Sequence, residues 1–143
     1  MIAVLNGPNL GRLGTREVAI YGTASYADLV AACRQSAIEL GVEVDVRQTD
    51  AEGQMLGWLH EAADTAEGVV LNAGAWTHYS YAIRDAVALV TGAGVPVIEV
   101  HLSQPAARED FRHLSVIAAV VAGSISGLGL DSYRLALRAL VER

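Results

Sequence analysis

The sequence contains no lysine, so its positive side chains are arginines, 10 of them in 143 residues, with histidine the only other candidate cation. A side-chain amine that could form an imine with a ketone substrate is therefore missing, which excludes Schiff-base chemistry. Cysteine is nearly as scarce. Cys33 stands alone, leaving neither an internal disulfide framework nor a thiolate cluster for zinc, and a reducing compartment suits it. Basic charge is outweighed: 16 acidic residues against 10 arginines give a net charge of −6 and a pI near 5.1. That balance lacks the overall basic footprint of a protein that binds nucleic acid or anionic lipid. Long apolar runs are also missing. The longest candidate, Leu114 to Leu130, is interrupted by Ser115, Gly123, Ser124, Ser126, Gly127 and Gly129, whereas a spanning helix needs about twenty mostly apolar residues. No basic stretch with a cleavable apolar segment precedes Ile2-Ala3-Val4-Leu5. What is present is apolar: 52% hydrophobic residues and a mean hydropathy of +0.34 exclude a disordered chain. A chain of this length buries a core without staples. These features predict a cytoplasmic protein with one domain over residues 1–143.

Short apolar runs alternate with segments of helical period. Ile2–Leu5 reads as a buried strand that ends in the turn-rich Asn6-Gly7-Pro8-Asn9-Leu10-Gly11. Ser25, with Asp28 three residues on, marks a helix start; Leu29, Cys33, Ala37 and Leu40 share one face, and Gly41 closes the helix. Val42, Val44 and Val46 alternate as a second strand, and Thr49 with Glu52 has capping-box spacing for a second helix. Gly68–Leu71 and Val95–Val100 read as further strands. Helical period runs through Thr77–Val90, with Tyr81, Ala82, Asp85, Ala86 and Leu89 in register. The β-branched run Val116–Ala122 reads as a fifth strand and Asp131–Val141 as the last helix. Near-continuous apolar strands alternating with helices predict an α/β fold, a flavodoxin-like, doubly wound parallel sheet of five strands with helices on both faces. Such sheets bind ligands at the carboxyl ends of their strands, where strand order reverses.

The strand ends carry the chemistry-bearing residues. The glycine-rich first loop lacks the Lys-Ser/Thr pair of a phosphate-binding P-loop and the spacing of a dinucleotide fingerprint. Arg16, Glu17 and Tyr21 follow between Gly14 and Gly22, before any expected helix. An arginine beside a phenol favours the phenolate, a usable base. Asn72 ends the third strand, ahead of Thr77 and His78; by itself this segment is a weak signal, since Thr77 or Asn72 can serve as a helix cap with His78 a bystander. Glu99 and His101 are two apart on a strand and share a face, so the carboxylate can raise the imidazole's pKa, fix its tautomer and prepare it as a general acid; an ordinary ion pair at a strand end is an equally good reading of the two residues alone. Ser103 and Arg108 beyond it could hold an anion. His60 and His113 read as structural, and Cys33 as core.

Taken together, these segments resemble the type II 3-dehydroquinate dehydratases. The resemblance rests on Asn6-Gly7-Pro8-Asn9-Leu10, Leu13-Gly14 with Arg16, Tyr21-Gly22, Glu52-Gly53, Asn72 with Gly74, and Thr77-His78 with Ser80. It continues through Arg84-Asp85-Ala86, Glu99-Val100-His101 with Ser103, and Arg108-Glu109 with Phe111-Arg112, in register along the whole chain. The chain departs from the family's usual residues at Val18, Asp50 and Gln104-Pro105-Ala106, among others. The resemblance implies removal of water from 3-dehydroquinate through an enolate, in aromatic biosynthesis or quinate breakdown, with no cofactor and no metal. It makes Tyr21 the base, His101 the general acid, Arg16 the lid residue that supports the phenolate, and Asn9 the residue that places a water on the enolate. It makes Glu99 the residue that orients His101, with Asn72, His78, Leu102, Ser103 and Arg108 at substrate-binding positions. Asp85 is implied to reach a neighbouring subunit's site in a homotrimer, with trimers assembling into a dodecamer. The competing reading is a catalytically idle flavodoxin-like module that binds a small anion or a partner protein.

Overall fold

The computed structural model describes residues 1–15 and 17–143; Arg16 lies outside the described residues. Five strands form one parallel sheet: β1 (Ile2–Asn6), β2 (Val44–Gln48), β3 (Gly68–Asn72), β4 (Val97–His101) and β5 (Gly123–Ser126), in the order β2-β1-β3-β4-β5. That is the doubly wound, flavodoxin-like order, with its reversal between β1 and β3. Period-2 alternation splits the buried strand residues between two layers. On one face Ala3, Leu5, Val69, Leu71 and Val97 meet α3 (Glu52–Thr65) and α4 (Tyr81–Gly92) through Met55, Leu59, Ile83 and Val87. On the other, Ile2, Val4, Val70, Ile98 and Val100 meet α2 (Tyr26–Leu40) and α5 (Asp131–Val141) through Leu29, Cys33, Tyr133 and Leu137. Among the described residues, no helix is long and apolar enough to cross a membrane.

The α2 signals act as read. Ser25 and Asp28 form a reciprocal capping box, and Gly41 ends the helix in the left-handed region at φ 71°. Cys33 is fully buried, and its burial pushes the thiol up to about 12, which suits a core residue. Other expectations fail for identifiable reasons. No capping box forms at Thr49: Ala51 occupies the N-cap of α3, Thr49 Oγ1 accepts from the Ala51 N–H, and Glu52 instead accepts from Ser80 Oγ. A one-turn helix, α1 (Val18–Tyr21), stands where an open loop was expected. The Thr77–Val90 segment breaks in two. A 3₁₀ turn over Gly74–His78 precedes α4, whose N-cap is Ser80. The buried face of α4 is Ile83, Ala86, Val87 and Val90, so most of the expected stripe faces outward, with Tyr81 70% and Leu89 61% exposed. Val116–Ala122 is not a strand. Val116 and Ile117 plug the α3–α4 layer, Ala118–Val120 is a 3₁₀ turn, and the strand that pairs with β4 begins at Gly123. A short apolar run signals burial without choosing a conformation.

The capping box yields a direct expectation. Ser25→Ala should lower the unfolding free energy by about 1 kcal/mol in urea titrations. An unchanged midpoint would remove the cap from the stabilising interactions of α2.

Candidate active site

The carboxyl ends of β1, β3 and β4 surround a cavity of about 100 Å³. Two glycines let its walls close. A Cβ on Gly7 would lie 2.8 Å from the Ala73 carbonyl oxygen, and Gly74, at φ 56°, would bring one to 3.2 Å from Pro8 Cδ. The loops after β1 and β3 are thereby held backbone against backbone, with the Gly7 N–H donating to the Asn72 carbonyl at 2.8 Å. Asn9 follows in the left-handed conformation at φ 68°, its N–H donating to Asp50 Oδ1 at 2.8 Å. A non-glycine residue held there is uncommon and concentrates at functional sites.

Of the residues singled out in the sequence, Asn9, Tyr21, Asn72, His78, His101, Leu102, Ser103 and Arg108 line this one cavity. Glu99 lies behind His101, and Asp85 is exposed on α4 away from the cavity. His60 is exposed, and His113 Nε2 bonds the Arg108 carbonyl at 3.0 Å, a structural contact.

Glu99 is 2% exposed yet carries a dense set of donors. His101 Nε2 donates at 2.7 Å, Thr77 Oγ1 at 2.5 Å, and Ser115 Oγ lies 2.9 and 3.0 Å from its two oxygens. Burial by itself raises a carboxylate's pKa; the hydrogen bonds from His101 and Thr77, the His101 charge and the Ser115 hydroxyl outweigh it, and the net shift is downward. Glu99 is thus an anion at neutral pH. It holds a proton on His101 Nε2 and leaves Nδ1 as the nitrogen for a ligand. Thr77 and Ser115 were not found by spacing: Thr77 carries an equally good capping signature, and Ser115 is 16 residues beyond Glu99 in an irregular segment.

His78 stacks on His101 with ring centroids 6.5 Å apart, and its Nδ1 donates to the Leu114 carbonyl at 2.8 Å. Burial first, with the nearby His101 and Arg112 charges, lowers its pKa against the opposing Leu114 bond, favouring a neutral ring with an accepting Nε2. Across the cavity, Arg108 is 11% exposed and sits over the Tyr21 ring at 5.0 Å. Its contacts to Ser103 Oγ (3.2 Å), Glu17 (3.7 Å) and Glu109 (3.9 Å) are long, and its Nε is buried without a hydrogen-bond partner among the described residues. Donor capacity of this kind suits an anionic ligand. Among the described residues, no three His, Cys, Asp or Glu side chains gather as a metal site.

A doubly wound sheet with an imidazole–carboxylate pair, a phenol and an underused guanidinium at its switch point defines an enzyme of the flavodoxin-like class. The family model described as dehydroquinase class II matches residues 1–141. A 3-dehydroquinate dehydratase of Salinispora tropica is 61% identical over 142 residues, covering 99% of this chain and 97% of its own. The crystal structure of the type II dehydroquinase from Propionibacterium acnes superposes with a TM-score of 0.94 at 54% identity, covering 99% of this chain and 96% of its own. That from Butyrivibrio crossotus gives 0.94 at 44% identity, covering 97% and 95%. The chain belongs to the class II dehydroquinase family.

The Glu99 environment sets a pH dependence. A carboxyl whose pKa is lowered by folding stabilises the fold above its unfolded value, near 4.5, and that contribution is lost as pH falls through the folded value. Glu99→Gln should therefore flatten the acid decline of unfolding free energy, measured by urea titration at successive pH values. An identical decline in both proteins would show that Glu99 is not specially stabilised as an anion.

Proposed function

We propose that this chain removes water from 3-dehydroquinate to give 3-dehydroshikimate through an enolate. The observation that carries the reading is the gathering of Tyr21, His101 with its buried Glu99, and Arg108 around one cavity. Tyr21, as phenolate, takes the proton from the carbon next to the ketone. The electron pair moves onto the carbonyl oxygen, where Asn9 places a water, and such charge stabilisation at the developing enolate is usually a large term. As the enolate electron pair returns to form the carbon–carbon double bond, His101 acts in its imidazolium form: Glu99 holds the Nε2–H while the Nδ1 proton goes to the departing hydroxyl, which leaves as water. Arg108 and Ser103 take the substrate carboxylate, while Asn72, His78 and the Leu102 segment hold the ring. Arg16 supports the phenolate and the transition state. No side-chain amine exists for an imine route.

We also assign the protein to the cytoplasm, acting as one domain over residues 1–143. The working unit is a homotrimer, with trimers grouped into a dodecamer. Asp85 serves a neighbour's site, which accounts for an acidic side chain among exposed Tyr81 and Leu89.

Tyr21→Phe should lower kcat by roughly two to four orders of magnitude with the fold intact and substrate affinity little changed. Arg16→Ala should depress kcat far more than KM, whereas Arg108→Ala should chiefly raise KM. Near-normal turnover by Tyr21→Phe, or the same kinetic pattern for both arginine variants, would refute these roles.

For the assembly, Asp85→Ala and Tyr21→Phe subunits should each be weakly active alone and regain part of the activity when mixed. Only a mixed trimer pairs an intact Tyr21 with a neighbour's intact Asp85. Fully active monomers at assay concentration would overturn the trimer.

A further inference from the structure

The phenol of Tyr133 is fully buried on α5 and lines no part of the cavity, yet it lies between the two asparagines that end the central strands. Asn6 and Asn72 are register partners at the carboxyl ends of β1 and β3, where strand order reverses. Asn72 Nδ2 donates to Tyr133 Oη at 2.8 Å, and Tyr133 Oη donates to Asn6 Oδ1 at 2.6 Å.

The directions of these bonds follow from the ends of the chain they form. At one end the Gly74 N–H, which can only donate, reaches Asn72 Oδ1 at 3.1 Å. That fixes the Asn72 carboxamide with its oxygen toward Gly74 and its nitrogen toward the phenol. At the other end the Arg47 carbonyl, which can only accept, takes Asn6 Nδ2 at 3.1 Å, so Asn6 must offer its oxygen to Tyr133. The phenol is the one group between them that must both accept and donate, and it has one hydrogen to give. Every donor and acceptor along the line from Gly74 to Arg47 therefore has a single assignment. Burial raises the Tyr133 pKa well above its ordinary value, which keeps the hydroxyl protonated for this role. One Asn72 N–H is spent on Tyr133. The second takes no partner among the described residues, and Asn72 lines the cavity.

We propose that Tyr133 is a positioning residue that locks the Asn72 carboxamide in the orientation presenting an N–H to the substrate. Without the phenol oxygen the carboxamide keeps only the Gly74 bond, and its nitrogen has no internal anchor. The inference rests on the reading above that Asn72 contacts substrate.

The test compares Tyr133→Phe, Asn72→Ala and the double variant in steady-state turnover of 3-dehydroquinate. Tyr133→Phe retains the ring and its packing, and should raise KM about tenfold, the usual scale for one lost hydrogen bond, with kcat within about twofold. Asn72→Ala should raise KM at least as much, and adding Tyr133→Phe to it should change KM no further, since the group through which the phenol acts is already gone. Effects that add in the double variant, or an unchanged KM in folded Tyr133→Phe, would overturn the positioning role and leave the reaction untouched. An unchanged KM in Asn72→Ala would instead overturn the substrate contact, and the inference with it. If Tyr133→Phe does not fold, Asn6→Ala removes the phenol's acceptor at a residue outside the cavity lining. It should raise KM in the same way, and an unchanged KM there would equally refute the proposal.

Discussion

The site depends on one bond, the 2.7 Å contact between the buried Glu99 carboxylate and His101 Nε2. A carboxylate removed from water is costly unless donors surround it. Here they come from three separate stretches of chain: His101 on the same strand, Thr77 after β3, and Ser115 beyond the polar segment that follows β4. The same arrangement that makes the anion affordable also fixes which imidazole nitrogen faces a ligand. Packing serves it directly: Val116 and Ile117, next to Ser115, are buried against α3 and α4, so the hydroxyl that closes over Glu99 is held by the core.

The parallel sheet supplies the rest of the geometry. Because β1 and β3 are neighbours and in register, the loops that leave them meet at once, and Gly7 against Ala73 sets how closely. This contact carries Asn9 out in a left-handed conformation on one side and Asn72 on the other. From β4, His101 closes one wall and the chain beyond it returns Arg108 over the Tyr21 ring at 5.0 Å. Catalytic constellations need positions held to within about half an ångström, and backbone contacts between adjacent strand ends provide that stiffness.

How much was legible in the sequence follows the physics of each signal. The Ser25–Asp28 cap, the Gly41 stop and the buried strands β1 and β3 are local patterns, and local rules found them. The Glu99–His101 pair was legible because strand alternation puts residues two apart on one face. Period alone placed the outward stripe of α4 wrongly: Tyr81 and Leu89 are as apolar as core residues, and their exposure is decided by where the helix lies on the sheet. The run Val116–Ala122 misled for the related reason that burial and strand conformation are separate properties. Ser115 on Glu99, and Tyr133 between Asn6 and Asn72, join residues far apart in sequence; no periodicity announces them.

The central claim is that these groups perform a dehydration through an enolate. It is tested most directly by giving 3-dehydroquinate to the purified, chelator-treated protein and following the ultraviolet absorbance of the conjugated enone that 3-dehydroshikimate contains. The account predicts a steady rise in absorbance, and enzyme that has been treated with borohydride in the presence of substrate, freed of both and given fresh 3-dehydroquinate should show the same rise. No enone formation by the folded protein, or inactivation by borohydride through a trapped imine, would contradict it.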